Sequence, residues 1–229
     1  MVTVSGLSKR YSKEVLKDLS FELEEGALTV LMGPSGCGKT TVACMLAGYI
    51  APDAGTLAID GRPITAAGPD RLMVFQETAL WYWMTVLDNV MFGPRASGAM
   101  SAGEAREKAL GLLRKFGLHE FRDKYPGQLS GGMRRRVELA QAMINNPRLM
   151  ILDEPFRGLD VMTRGLMQEY YLDLFAESRR TTLFITSELE EALVMGERVL
   201  VMDERYLELK RQLMATLYLP EHRVDGGSA

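Results

Sequence analysis

The stretch Gly33-Pro34-Ser35-Gly36-Cys37-Gly38-Lys39-Thr40 decides how the rest of the chain is read. The apolar run Leu28-Thr29-Val30-Leu31-Met32 precedes it and Thr41-Val42-Ala43-Cys44-Met45-Leu46-Ala47 follows it. The first run has the length and composition of a buried strand and the second those of a helix. Between them the pattern G-x-x-x-x-G-K-T predicts a phosphate-binding loop. Its glycines let consecutive backbone N–H groups turn toward an anion, and the helix N-terminus adds positive partial charge. Lys39 can then reach the outer phosphates and Thr40 can ligate magnesium.

Upstream, Val2-Thr3-Val4 and the segment from Val15-Leu16 through Phe21-Glu22-Leu23 alternate apolar and polar residues between Gly6 and Gly26, which predicts short antiparallel strands. Tyr11 lies in their connection, where a tyrosine either packs or offers an aromatic face to a nucleotide base. Downstream, Thr56-Leu57-Ala58-Ile59-Asp60-Gly61 predicts a strand ending in a hairpin, and Arg71-Leu72-Met73-Val74-Phe75 a strand that delivers Gln76 at its end. From Glu77 to about Asn145 the pattern turns helical, with segments from Ser101 to Phe116 and from Gly132 to Asn145, so residues 77–145 read as a lobe inserted into an α/β core. Its cluster Trp81-Tyr82-Trp83 fits lobe core better than a binding surface on composition alone. Leu129-Ser130-Gly131-Gly132 predicts a second helix N-terminus able to receive an anion, with Ser130 as N-cap. Arg134-Arg135-Arg136 opposes the helix dipole there and reads as a solvated or partner-facing charge cluster.

The run Leu149-Met150-Ile151-Leu152 predicts a fully buried strand, ended by Asp153-Glu154-Pro155. Carboxylates just past the C-terminal end of a core strand stand where open α/β sheets bind ligands. Asp153 is placed to hold magnesium through water, and Glu154 to act as general base on an attacking water. Gly158-Leu159-Asp160 leads into a helix over roughly Met162 to Ala176. Then come the strand Thr182-Leu183-Phe184-Ile185-Thr186, Ser187, a helix from Glu188 to Val194, the strand Arg198 to Met202, and a tail Asp225 to Ala229 that reads as frayed.

Composition narrows the field. A net charge of −3 gives no electrostatic footprint for nucleic acid, and no apolar run approaches the ~20 residues needed to cross a bilayer. With no basic and apolar leader, a cytoplasmic protein is expected. Two cysteines, Cys37 and Cys44, make no disulfide framework, and Cys44 reads as a small core residue. The fifteen methionines fall mostly in apolar runs, as gap-filling core residues do.

Taken in order, GPSGCGKT at 33–40, VFQE at 74–77, LSGGM at 129–133, LMILDEP at 149–155 and GLD at 158–160 resemble the nucleotide-binding subunit of an ABC transporter, over nearly the whole chain. The forms around Ala79-Leu80-Trp81 and Thr85 to Val90, with LSGGMR, look most like the nitrate, sulfonate and taurine import branch. The resemblance implies one domain over 1–229: an α/β P-loop NTPase core with a mainly parallel sheet and an N-terminal antiparallel β subdomain (1–76 and 146–229), plus the helical subdomain at 77–145. It implies ATP and Mg2+ as ligands and a head-to-tail dimer, expected with a second copy, sandwiching two ATP molecules. Transmembrane permease subunits are the implied partners, with a periplasmic solute-binding protein acting indirectly, and the subunit is placed on the inner face of the cytoplasmic membrane.

Residue by residue, the resemblance implies that Gly33 through Thr41 cradle the nucleotide, Tyr11 stacks on adenine, and Thr40, Gln76 and Asp153 serve the metal. Ser130, Gly131 and Gly132 contact the nucleotide of the opposite subunit, and Asp160 communicates between the two sites. Lys39, Gln76, Glu154 and the residue at 187 form the catalytic set, and the aromatics at 81–83 border a groove for a helix of the membrane subunit. The family carries a histidine where this chain has Ser187, and His119 and His222 occupy no replacement position. A serine is shorter and never cationic, so hydrolysis is expected to suffer more than binding. That departure motivates one alternative to an import ATPase, a regulatory or asymmetric ATP-binding partner with impaired hydrolysis; a separate alternative is an ATPase serving lipid transport or DNA repair.

Overall fold

The computed structural model describes residues 1–203; the tail at 225–229 and His222 lie outside the described residues. Two sheets organise it. A four-stranded antiparallel sheet has the order β2-β1-β4-β5, from β1 (Val2–Arg10), β2 (Glu14–Leu23), β4 (Ala54–Ile59) and β5 (Arg62–Pro63). The Asp60-Gly61 pair closes the β4–β5 hairpin as a two-residue loop with both residues at positive φ, 49° and 74°. A five-stranded parallel sheet has the order β6-β7-β8-β3-β9, from β3 (Leu28–Met32), β6 (Arg71–Val74), β7 (Leu149–Asp153), β8 (Thr181–Thr186) and β9 (Arg198–Val201).

Period-2 alternation in the parallel strands separates two apolar cores. Leu28, Val30, Met32, Met150, Leu152 and Phe184 face a core shared with the helices α2 (Val86–Ala96), α3 (Ala102–Lys115), α4 (Gly131–Met143), α5 (Val161–Ser178) and α6 (Leu189–Met195). Leu31, Ile151, Leu183 and Ile185 face the other core, against the antiparallel sheet and α1 (Lys39–Ala47). With apolar layers on both faces the central parallel strands β7, β8 and β3 are buried throughout, which explains their nearly continuous hydrophobic sequences.

Helix starts follow local chemistry. Ser101 and Glu104 form a reciprocal capping box on α3, Thr85 accepts from the Asp88 amide to cap α2, and Asp160 accepts from the Thr163 amide at 3.0 Å to cap α5. The sequence pattern singles out no helix at α2, which carries Pro94 in its last turn.

Three expectations are corrected. The aromatics at 81–83 are not lobe core: Trp81, Tyr82 and Trp83 are 36%, 53% and 71% exposed, and Trp81 meets Trp83 and Phe92 at the surface in tilted ring pairs, each at 5.3 Å between centroids. The arginines at 134–136 are not a solvated cluster, since Arg135 is buried and its neighbours half-buried on a helix packed on several sides. Cys44 is half-buried, at the margin of the core rather than inside it.

Candidate functional site

The strand β3 ends at Met32 and the chain turns through residues 33–38 into α1, whose N-cap is Gly38 at φ 106°. Gly36 also has positive φ, 80°, and an added Cβ there would meet nothing within 4 Å. The loop therefore encloses a concavity rather than packing on itself. A cavity of about 220 Å3 is lined by Ser35, Gly36, Gly38, Lys39, Thr40 and Thr41 from this loop, with Val15, Gln76, Glu154 and Arg157. Lys39 is buried and donates to the carbonyls of Gly33 at 2.8 Å and Pro34 at 2.9 Å. The Cys37 side chain turns away, its Sγ 3.9 Å from Met202 Sδ.

The carboxylates arrive from β7. Asp153 is its last residue, and its carboxylate is hydrogen-bonded by the Thr40 hydroxyl; burial raises its pKa above the ordinary aspartate value, with the Thr40 bond opposing. Glu154 follows at φ 44°, an uncommon backbone conformation outside glycine, fixed by its amide donating to the Ile185 carbonyl at 2.9 Å. That turn points its carboxylate at Lys39, 4.0 Å away, and at Arg157, which donates at 2.5 Å. Thr40, Asp153 and Gln76 are oxygen-bearing groups beside the loop, and magnesium needs only one or two protein oxygens besides phosphates and waters. That no cluster of three His, Cys, Asp or Glu occurs among the described residues is therefore compatible with it.

A second cavity, about 190 Å3, adjoins the first and is lined by Ser35, Glu154, Phe156, Arg157, Arg164, Thr186, Ser187, Glu188 and Glu191. Ser187 is thus brought to Ser35 and Glu154 by the parallel pairing of β8 between β7 and β3. Burial raises the Glu191 carboxyl above its usual range, against hydrogen bonds from Thr186 and Gln168. His119 stands elsewhere, paired with Glu120 at 3.1 Å.

Other predicted residues stand apart from these cavities. Tyr11 is exposed in the turn between β1 and β2, with the Lys9 ammonium 5.6 Å from its ring centroid. Ser130 caps α4, accepting from the Met133 amide at 3.3 Å, and Gly131 is exposed with nothing within 4 Å of an added Cβ. A Cβ on Gly132 would meet Thr163 Cγ2 at 2.7 Å, so the starts of α4 and α5 lie side by side, with Asp160 at the second. Among described residues, the sequence reading missed Arg157, whose i, i+3 spacing from Glu154 was the available signal, and the pair Arg135 and Glu138, whose charges sit among the buried Val137, Leu139 and Ala140.

A parallel sheet with a glycine-rich strand-to-helix loop, a buried lysine at its end and two carboxylates past the neighbouring strand defines a nucleotide-binding protein of the phosphate-loop class. The family model described as ABC transporter matches residues 16–157, and the chain belongs to that family. It is 42% identical over 210 residues to the taurine import ATP-binding protein TauB of Ruegeria pomeroyi, covering 89% of this chain and 78% of the relative. The protein of the same name from Pelagibacter ubique is 44% identical over 190 residues, covering 83% and 71%. Among solved structures, the dimeric bacterial ABC transporter cassette MJ0796 superposes with a TM-score of 0.77 at 30% identity, covering 88% of this chain and 94% of that one. A structure of the same cassette in a post-hydrolysis state with ADP and Pi matches equally well. The fold is also that of cbiO1 from Clostridium perfringens, part of the cbiONQ transporter complex, with a TM-score of 0.80 at 24% identity and coverage of 96% and 95%.

Proposed function

We propose that this ABC transporter subunit binds and hydrolyses ATP to drive import of a small sulfonate of the taurine type. The observation that carries the proposal is the convergence of Lys39, Thr40, Gln76 and Glu154 on one cavity at the N-terminus of α1, with Asp153 bonded to Thr40. Lys39 leaves the Gly33 and Pro34 carbonyls for the outer phosphates, while Gly33 through Thr41 present backbone amides. Thr40, Asp153 and Gln76 would hold Mg2+, which would supply positive charge to neutralise the phosphates. Glu154 accepts a proton from the attacking water as its oxygen forms the new bond to the terminal phosphorus, while the bond from that phosphorus to the oxygen bridging to the β-phosphate breaks and ADP leaves with the bridging oxygen, and Ser187 bonds to the same region through its hydroxyl. Tyr11 stacks on the base.

Ser130, Gly131, Gly132 and Asp160 stand away from the Lys39 cavity, and in this reading they complete the site of a second copy in a head-to-tail dimer. The lobe at 77–145 faces the permease on the cytoplasmic side of the membrane; a groove of about 430 Å3 beside Tyr49, Phe75, Trp81 and Phe92 receives a helix of that partner. Among described residues no helix is long and apolar enough to cross a membrane. The import names of the relatives favour this reading over a regulatory partner or a lipid-transport ATPase.

The test is Lys39→Ala. Fluorescent-nucleotide titration and phosphate release should both fall by at least tenfold, and cells complemented with the variant should lose uptake of labelled taurine. Full binding and turnover in the variant would sink the assignment.

A further inference from the structure

The chain leaves the parallel sheet at Val74, and residues 75–81 form neither strand nor helix. Their backbone groups therefore have no ladder to join, and each buried one needs another partner. Two side chains of α4 supply several. Arg135 Nη1 donates to the Phe75 carbonyl at 2.7 Å, and Nη2 donates to the Gln76 carbonyl. Glu138 Oε1 accepts from the Ala79 amide, while its Oε2 accepts from Arg135 Nη1 at 2.7 Å. Both side chains are 5% exposed.

A buried ion pair is a poor stabiliser, because desolvation offsets most of the attraction between the two charges; its best-attested use is to fix one arrangement among several. Here the fixed object is a five-residue connection whose second residue, Gln76, lines the phosphate cavity. The planar guanidinium holds two successive carbonyls from two nitrogens of one rigid fork while also meeting the Glu138 carboxylate, where a lysine would bring a single flexible point charge. The far end of that connection is held by the carboxylate, so the Gln76 side chain is presented from a backbone tethered on both sides of it. We propose that Arg135 and Glu138 are a positioning pair that clamps residues 75–79 to α4 and thereby sets how Gln76 is presented to the phosphate cavity.

The proposal rests on the ATP-hydrolysing reading above, and the experiment separates the two. The variants are Arg135→Met with Glu138→Leu together, which removes both charges at similar volume, and Glu138→Gln, which breaks the ion pair with the least change of shape. Each is purified as the full chain, checked for folding by circular dichroism, and measured for Kd of fluorescent ATP and for kcat and KM of Mg2+-dependent phosphate release. Misplacing a positioned group by about 1 Å commonly lowers turnover up to ~100-fold. The expected result is a kcat reduced about tenfold or more, with Kd and KM within about threefold of wild type. Arg135→Lys, which keeps the charge but not the two-carbonyl fork, should fall between. An unchanged kcat in either folded variant overturns the clamp and leaves the ATPase reading standing. A parallel loss of binding and turnover makes the pair merely structural and also overturns it. A wild-type chain that binds no ATP overturns both.

Discussion

The phosphate loop can be tested through two glycines that differ only in their surroundings. Gly36 and Gly38 both adopt positive φ, 80° and 106°, so alanine is strained at either position. That strain costs about 1–2 kcal/mol. At Gly36 an added Cβ meets nothing within 4 Å, whereas at Gly38 it comes to 2.7 Å from Leu16 Cδ2 and 3.1 Å from Val15 Cγ1. Overpacking adds about 1–3 kcal/mol, toward the lower end because the Leu16 side chain can turn. Gly38→Ala is therefore expected to lose about 2–4 kcal/mol and Gly36→Ala about half that. At about 2–4 °C per kcal/mol for a chain of this size, Tm should drop by about 3–6 °C in Gly36→Ala and about twice that in Gly38→Ala, read by circular dichroism without nucleotide. Nucleotide affinity should fall at least tenfold in Gly36→Ala despite its smaller Tm loss, since Gly36 lines the concavity and the substitution disturbs the loop backbone that would present amides to the phosphates. Equal Tm losses would refute the contact reasoning, and an unchanged ATP affinity in Gly36→Ala would refute the placement of the phosphates.

Two further outcomes are expected. Ser187→His places an imidazole at the cavity of about 190 Å3 that borders Glu154, and phosphate release should rise at least tenfold if a cationic donor is what turnover lacks there; an unchanged rate shows that Ser187 does not limit it. Burial lifts the Glu138 carboxyl to about 6 from 4.5, against the opposing pull of Arg135, which is about 2 kcal/mol in favour of the protonated form. A raised carboxyl contributes stability below pH 4.5 that is lost as pH rises through 6, so wild type should gain about 2 kcal/mol relative to Glu138→Gln between pH 7 and pH 4.5 in urea unfolding, and a flat difference would contradict it.

Much of this arrangement is legible in the sequence because it follows from local rules. Continuous apolar runs such as Leu149 to Leu152 mark buried parallel strands, Ser101 and Glu104 announce a helix start, and the glycines and lysine of the loop state their own purpose. What stayed hidden depends on packing between distant elements. The exposure of Trp81 and Trp83 is decided by which face of the lobe is covered, and hydrophobicity alone favours the opposite answer. Arg135 reads as one of three like charges until α4 is laid against the connection after β6, about 60 residues earlier, whose carbonyls it binds.

Three cations hold the site in its present form, and each does so through a group that the proposed chemistry must move or use. Lys39 is spent on the carbonyls of its own loop, Arg157 on the Glu154 carboxylate, and Arg135 on the backbone beside Gln76. The first contact competes directly with nucleotide, since phosphates draw Lys39 off the carbonyls, and the second makes Glu154 a weaker base, since Arg157 occupies one of its two carboxylate oxygens and leaves the other for water. The third does not compete, because Arg135 is buried behind the segment and binds main-chain carbonyls that no phosphate contacts. A site built this way separates what must yield on binding from what must stay fixed through the reaction, and the fixed part lies on α4, the helix that Ser130 caps and whose N-terminus is proposed to serve a second copy. Dimer closure that shifted α4 would then carry Gln76 with it, so the geometry around the phosphates would depend on the partner being in place.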